Sequence, residues 1–175
     1  MKKFELTNEF ITNMFGTKLF RIRALVEFGD VEAGELGGYV EKESNLGHDD
    51  NAWVYDNAWV YGDAQVSGDA LVYDNARVYG NALVCGDARV CGNGDYAYAR
   101  GFGSVNRTTT FFRLKDGGVG VRCGCFYGTL AQFRDKIRET HGETKKAQEY
   151  LMLADLMELR FEEDENEVGN RKYVE

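Results

Sequence analysis

Residues 51 to 93 repeat every six positions, and no other feature of the chain constrains its fold as tightly. In phase they read NAWVYD, NAWVYG, DAQVSG, DALVYD, NARVYG, NALVCG and DARVCG. Ala holds the second place and Val the fourth in all seven units, from Ala52 to Ala88 and from Val54 to Val90. A fixed period is the signature of a repeat architecture. Alternate side chains of a strand point to opposite faces, so Ala and Val two apart face the same side. A small residue and a β-branched one, repeated there, suit a narrow packed interior. The Gly, Asp and Asn pairs between units tolerate left-handed backbone angles and so make corners. Each unit is then one short strand and one turn. Three units close a triangular coil of about 18 residues, and coils stack.

The units VYDNAW, VYGDAQ and VSGDAL resemble the hexapeptide repeat of left-handed parallel β-helix proteins. The resemblance implies a mainly β chain, a triangular left-handed parallel β-helix. It implies no single function, because that family holds acyltransferases, metal-dependent carbonic anhydrases, structural polymers and binders.

The flanks divide the chain. Residues 1–35 read as an N-terminal β-hairpin cap: Phe20, Ile22 and Ala24 alternate with Arg21 and Arg23, after a turn at Gly16-Thr17. Residues 36–107 read as the β-helix. Val40 and Leu46 fit the aliphatic place, and the eight-residue step from Leu46 to Val54 implies two extra residues near Gly47-His48. The pattern decays through Tyr96, Tyr98 and Phe102, as in a last degenerate coil. Residues 108–161 read as a ββαα module that caps the coil or carries an interaction of its own. Its strands meet at Lys115-Asp116-Gly117-Gly118. One helix, about Leu130 to Thr140, starts at a Thr129/Gln132 capping box and stops at Gly142. A second runs from Glu143 or Thr144 to Leu159, with Ala147, Tyr150, Leu151, Ala154, Leu156, Met157 and Phe161 on its apolar face. Residues 162–175 form an acidic tail, expected to fray.

Composition excludes several classes. A net charge of −8 argues against binding nucleic acid directly, since phosphate contacts need surplus Lys and Arg. No run approaches the ~20 apolar residues of a membrane span, and no apolar stretch follows Lys2 and Lys3, so a cytoplasmic protein is expected. Cys85 and Cys91 share one repeat place on different faces and should not meet. Cys123 and Cys125, two apart on an expected strand, point the same way, but two ligands do not make a structural zinc site. Free thiols, no metal and no cofactor are expected.

Residues 18 apart stack in columns on the outer surface. One face carries Trp53, Leu71 and Arg89 beside Tyr55, Tyr73 and Cys91. The next carries Trp59 and Arg77 beside Tyr61 and Tyr79. The third carries Gln65, Leu83, Ser67 and Cys85. Contiguous exposed aromatics mark interaction surfaces, and Tyr, Trp and Arg dominate binding hot spots. Trp53, Tyr55, Trp59, Tyr61, Leu71, Tyr73, Arg77, Tyr79 and Arg89 are therefore the candidate binding residues. Three readings compete: a structural ladder covered within the chain, a dimer or trimer interface, and the footprint of a distinct partner. At the corners, Asp56 over Asp74, Asn57 over Asn75 and Asp69 over Asp87 read as solvated, with a bound cation or a nucleic-acid-like charge display as the alternatives.

The enzymatic alternatives are poorly supplied. Acyltransferases of the resembled fold use a general-base His and an extruded loop, and the carbonic anhydrases need three His. This chain has two His. His141 ends a helix, and His48, in the irregular first coil, is the only candidate base if the chain is an acyl-CoA-dependent acyltransferase. Regular Thr columns for an ice-binding face are absent. A small-ligand-sequestering or structural oligomer is a further alternative.

A second resemblance spans most of the chain. LFRIRALVEFGDVEAGELGGYVEKESNL resembles the opening of hexapeptide-repeat proteins carried by bacteriophages and prophages, many labelled putative acyltransferases. TFFRLKDGGVGVRCGCFYGTLAQFRDKI, followed by THG, resembles the module that closes them. The resemblance implies a mobile-element accessory protein, and the shortage of His makes a non-enzymatic one the expectation. It would dock on a host protein in the host cytoplasm, and inhibition of a bacterial defence complex is one form this would take.

Overall fold

The computed structural model describes residues 1–105 and 107–162. The expected acidic tail, beyond Glu162, lies outside the described residues. Strands β1 (Phe4–Thr12) and β2 (Lys18–Ala24) form the N-terminal hairpin, and β3 (Leu36–Val40) pairs antiparallel with β2. Seven two-residue strands follow: β4 (Trp53–Val54), β5 (Trp59–Val60), β6 (Gln65–Val66), β7 (Leu71–Val72), β8 (Arg77–Val78), β9 (Leu83–Val84) and β10 (Arg89–Val90). Each is the Trp/Val, Gln/Val, Leu/Val or Arg/Val pair of one hexapeptide.

Consecutive short strands belong to three different sheets, and each pairs parallel with the strand three units on: Trp53 with Leu71, Trp59 with Arg77, Gln65 with Leu83. All seven Ala and all seven Val are buried in one core. The chain is thus β-rich, and its middle is a coil of short parallel strands. Corners fall at Asp56 and Asp74, at φ of 50° and 58°, and at the repeat glycines Gly62, Gly68, Gly80 and Gly86. Tyr39 pairs with Trp59 and Leu46 with Val66, a register of 20 instead of 18, so the two extra residues lie where the Leu46–Val54 spacing puts them.

The ladder has a direction. Trp53 N–H donates to Ala70 O, Trp59 N–H to Ala76 O, Gln65 N–H to Ala82 O and Leu71 N–H to Ala88 O. One end of such a stack offers carbonyls and the other offers amides, and both must be met if buried. At the N-terminal end the donors are Tyr39 N–H to Ala58 O, Glu41 N–H to Val60 O and Gly47 N–H to Val66 O. Side chains complete the set: Asn45 Nδ2 donates to Gly62 O and Ala64 O, and Lys3 Nζ to Ala52 O at 2.8 Å and Asp50 O at 3.2 Å. At the C-terminal end the partners are acceptors. Asn93 Oδ1 takes Arg77 N–H, Thr110 Oγ1 takes Leu83 N–H, and Asp95 Oδ2 takes Cys91 N–H.

The C-terminal module differs from expectation. Tyr96, Tyr98 and the residues between them are not a last coil. They form β11 (Tyr96–Arg100), which pairs antiparallel with β12 (Thr108–Arg113). β13 (Val119–Cys123) and an unforeseen β14 (Phe126–Thr129) complete a four-stranded sheet. The module is therefore ββββαα. Cys125 lies in the β13–β14 turn and is exposed, whereas Cys123 is buried, so the two do not share a strand face. Alternation along β12 explains the sheet's place. Phe112, with Tyr96 beside it, plugs the end of the coil core, while Phe111 faces α1 (Leu130–His141) and α2 (Lys145–Phe161). Both helix starts are as expected: Thr129 and Gln132 form a capping box, and Thr144 caps α2. Leu156, assigned to the apolar face of α2, is exposed.

Two predictions follow from these ends. Thr110→Val keeps shape but orphans the Leu83 amide, and should cost about 1–3 kcal/mol in urea unfolding; an unchanged midpoint would show that the amide finds another acceptor. Burial lowers the Lys3 ammonium from 10.5 to about 8, opposed by Asp50, Asp49 and Asp69. Between those values the unfolded chain holds a proton that the folded chain lacks, so this group makes stability rise with pH from about 8 to about 10.5. Wild-type stability should climb relative to Lys3→Met across that window; parallel curves would show that the ammonium is not desolvated.

Candidate docking face

One row of side chains crosses the outer surface of the sheet β1-β2-β3-β5-β8. Arg21 pairs with Tyr39, Tyr39 with Trp59, and Trp59 with Arg77. At its N-terminal end Glu9 Oε1 accepts from Arg21 Nη1 at 3.3 Å and from Tyr39 Oη at 3.1 Å. At the other end the Arg77 guanidinium lies 4.2 Å from the centroid of the Trp59 ring. Beside this row Tyr61 and Tyr79 stack at 5.3 Å with planes 16° apart. Tyr98 continues the line, with its hydroxyl lying where a Cβ on Gly80 would fall. Burial raises the pKa of Tyr61, with Tyr79 adding to the effect. Tyr79 is 44% exposed and Arg77 is exposed, so this end of the face is open, while Trp59 and Tyr61 are half-buried.

The neighbouring face is different, and Trp53 must be reassigned. It was expected to point into solvent, but its exposure is 0%. It begins its column, with no coil before it, and the N-terminal cap packs onto it. Phe28 lies edge-on at 5.3 Å and Phe4 at 6.2 Å. β3 crosses so closely that a Cβ on Gly37 would lie 2.8 Å from Trp53 Cζ2 and 2.5 Å from Val54 O. The Trp53 indole N–H has no acceptor, so the ring serves by its volume. Leu71, Tyr55 and Tyr73 are half-buried, and burial pushes the Tyr73 phenol up to about 12. Arg89 is tied to the chain by bonds to Asp69 O and Ala88 O. Of the nine candidates, the structure joins Trp59, Tyr61, Arg77 and Tyr79 in one surface, with Arg77 and Tyr79 exposed and Trp59 and Tyr61 half-buried beside them. Sequence reasoning passed over two neighbours of this surface: Tyr98, which is exposed, and Tyr39, which is buried within the row. Tyr39 lies 20 residues before Trp59, and Tyr98 lies 19 after Tyr79, so a strict 18-residue column passes over both.

His48 is built into the cap. Nδ1 accepts the Lys3 N–H at 3.2 Å, Nε2 lies 2.9 Å from Glu43 Oε1, and the ring stacks on Phe4 at 4.4 Å. The lone pair that a general base would use is already occupied. His141 stacks on Tyr150 at 5.9 Å, far along the chain from His48. Among the described residues no cluster of three or more His, Cys, Asp or Glu could hold a metal, and Cys85, Cys91, Cys123 and Cys125 are free thiols. At one corner Asn51 Nδ2 donates to Asp69 Oδ1 at 2.8 Å, so this column is bridged by an amide where it begins. No helix among the described residues is long and apolar enough to cross a membrane.

The coil itself has a counterpart among known families. Residues 64–80 and 76–92 match the model of the YdcK β-solenoid repeat. The matched stretch is similar to that repeat, and it includes Arg77 and Tyr79 but neither cap. A search of curated proteins gave no match.

The two tryptophans should behave oppositely. Trp53→Ala should cost about 3–5 kcal/mol, whereas Trp59→Ala should stay within about 1 kcal/mol. Equal losses in urea unfolding would show that Trp59 is as much a part of the core as Trp53.

Proposed function

We propose that this chain is a rigid, non-enzymatic docking protein of the phage or prophage type. In this reading it works in the host cytoplasm, occupies a host protein and thereby inhibits a bacterial defence complex. The single observation that carries the docking reading is the face on which exposed Arg77, Tyr79 and Tyr98 adjoin half-buried Trp59 and Tyr61. Rigid aromatics and a stacked Arg lose little side-chain entropy on binding, as hot-spot residues do. The occupied His48 ring supports the non-enzymatic part. The resemblance of both flanks to phage-borne proteins supports the source. The six-residue period over three sheets supports a left-handed parallel β-helix, with the N-terminal hairpin and the ββββαα unit that begins at β11 as terminal modules. A dimer or trimer through the neighbouring Tyr55–Tyr73 face is compatible with it.

The test uses the purified chain against bacterial lysate, with complexes sized by light scattering. Wild type should retain a stoichiometric protein. The double variant Trp59→Ser, Tyr79→Ser should lose it by at least about tenfold in affinity, equivalent to about 1.4 kcal/mol, while Leu71→Ser keeps it. Equal retention by the double variant would sink this face. Saturable binding of acetyl-coenzyme A at micromolar strength would overturn the non-enzymatic reading in favour of an acyltransferase.

A further inference from the structure

The row Glu9–Arg21–Tyr39–Trp59–Arg77 is balanced at one end and open at the other. Glu9 answers Arg21, and the Tyr39 hydroxyl bonds to the same carboxylate. The Arg21 guanidinium sits 5.4 Å from the Tyr39 ring, as Arg77 sits 4.2 Å from that of Trp59. Arg77 has no counterpart to Glu9: among the described residues it makes no ion pair.

Its position is nonetheless fixed. The Arg77 amide donates to Asn93 Oδ1 at 2.9 Å, and its carbonyl accepts from Tyr96 Oη at 2.6 Å. The guanidinium is laid flat on Trp59, which leaves its edge N–H groups free to donate. Beside it runs a groove of about 270 Å³, lined by Ile11, Tyr39, Asn57, Trp59, Asn75 and Arg77. A chain with 29 acidic residues lines this groove with none. Two side-chain amides, one guanidinium, two aromatic rings and one aliphatic side chain remain. Amide and guanidinium N–H groups are carboxylate donors, and a charge-assisted pair to a planar guanidinium is the strongest of these contacts. Trp59 and Ile11 offer apolar surface beside it.

We infer that this groove receives a segment of the partner protein that presents one acidic side chain next to an apolar one, with the carboxylate on Arg77 and the apolar group against Trp59 and Ile11. This rests on the docking reading above and names the chemistry of what docks. The incoming carboxylate does for Arg77 what Glu9 does for Arg21.

The test titrates the ¹⁵N-labelled full chain with acetyl-Leu-Glu-Leu-amide and, separately, with acetyl-Leu-Gln-Leu-amide. The readouts are the Trp59 indole N–H and the Arg77 side-chain N–H, with the buried Trp53 indole as internal control. The Glu peptide should saturate with a Kd on the order of 1 mM, as expected for so small a ligand, and move Trp59 and Arg77 but not Trp53. The Gln peptide should bind about tenfold more weakly. Arg77→Gln should abolish the preference for Glu, and Arg77→Lys, which keeps the charge but loses the flat fork, should restore only part of it. Equal affinity for the two peptides, or an undiminished preference in Arg77→Gln, would overturn the inference. If neither peptide binds while the Trp59→Ser, Tyr79→Ser variant still loses its protein partner, the inference falls and the docking reading stands.

Discussion

Everything in this molecule depends on a hydrogen-bond ladder that runs one way. Each coil donates from its strand amides to the carbonyls of the next, so the stack has a carbonyl end and an amide end. Neither end can be left bare in a folded interior. The N-terminal segment meets the carbonyls with donors, among them the Lys3 ammonium and the Asn45 amide. The C-terminal segment meets the amides with oxygens from Asn93, Asp95 and Thr110. The two terminal modules are chemically opposite because the ladder's ends are.

The same closure decides which aromatics remain outside. Ala and Val fill an interior too narrow for rings, so every Trp and Tyr of the repeats must leave it. Trp53 starts its column and is covered by Phe4, Phe28 and the close-crossing β3. Trp59 sits one unit later, with a strand on either side of it, and so forms the middle of a row instead of its end. A capped end buries its first ring, and a paired middle leaves its own partly exposed.

Much of this was legible from residues alone. The period set the strands, the 18-residue pairing and the buried columns. The eight-residue step after Leu46 placed the slip that appears as a register of 20. Thr129, Gln132, Gly142 and Thr144 marked the helix ends because capping is local chemistry. What escaped was set by context. Trp53 and Trp59 occupy the same repeat place with the same neighbours, so only stack position separates them. YAYAR alternates large and small residues equally well as a coil edge or as an antiparallel strand, and the partner strand β12 decides. Tyr39 and Tyr98 joined the docking face across a slip and a change of sheet, where counting by 18 fails.

The caps also govern how such a chain can change length. The C-terminal module reads particular positions of the last coil: Tyr98 and Tyr127 set their hydroxyls over Gly80 and Gly86, where any Cβ would collide. The N-terminal module grips the first coil in the same position-specific way. Adding or deleting one whole turn, 18 residues, leaves both grips in phase and only moves the modules apart. A six-residue insertion would satisfy the repeat equally well yet carry the C-terminal module round to the next face. Growth by single units is therefore forbidden by the ends although it is allowed by the middle. The spacing between the two modules keeps their angular setting only when it changes by whole turns.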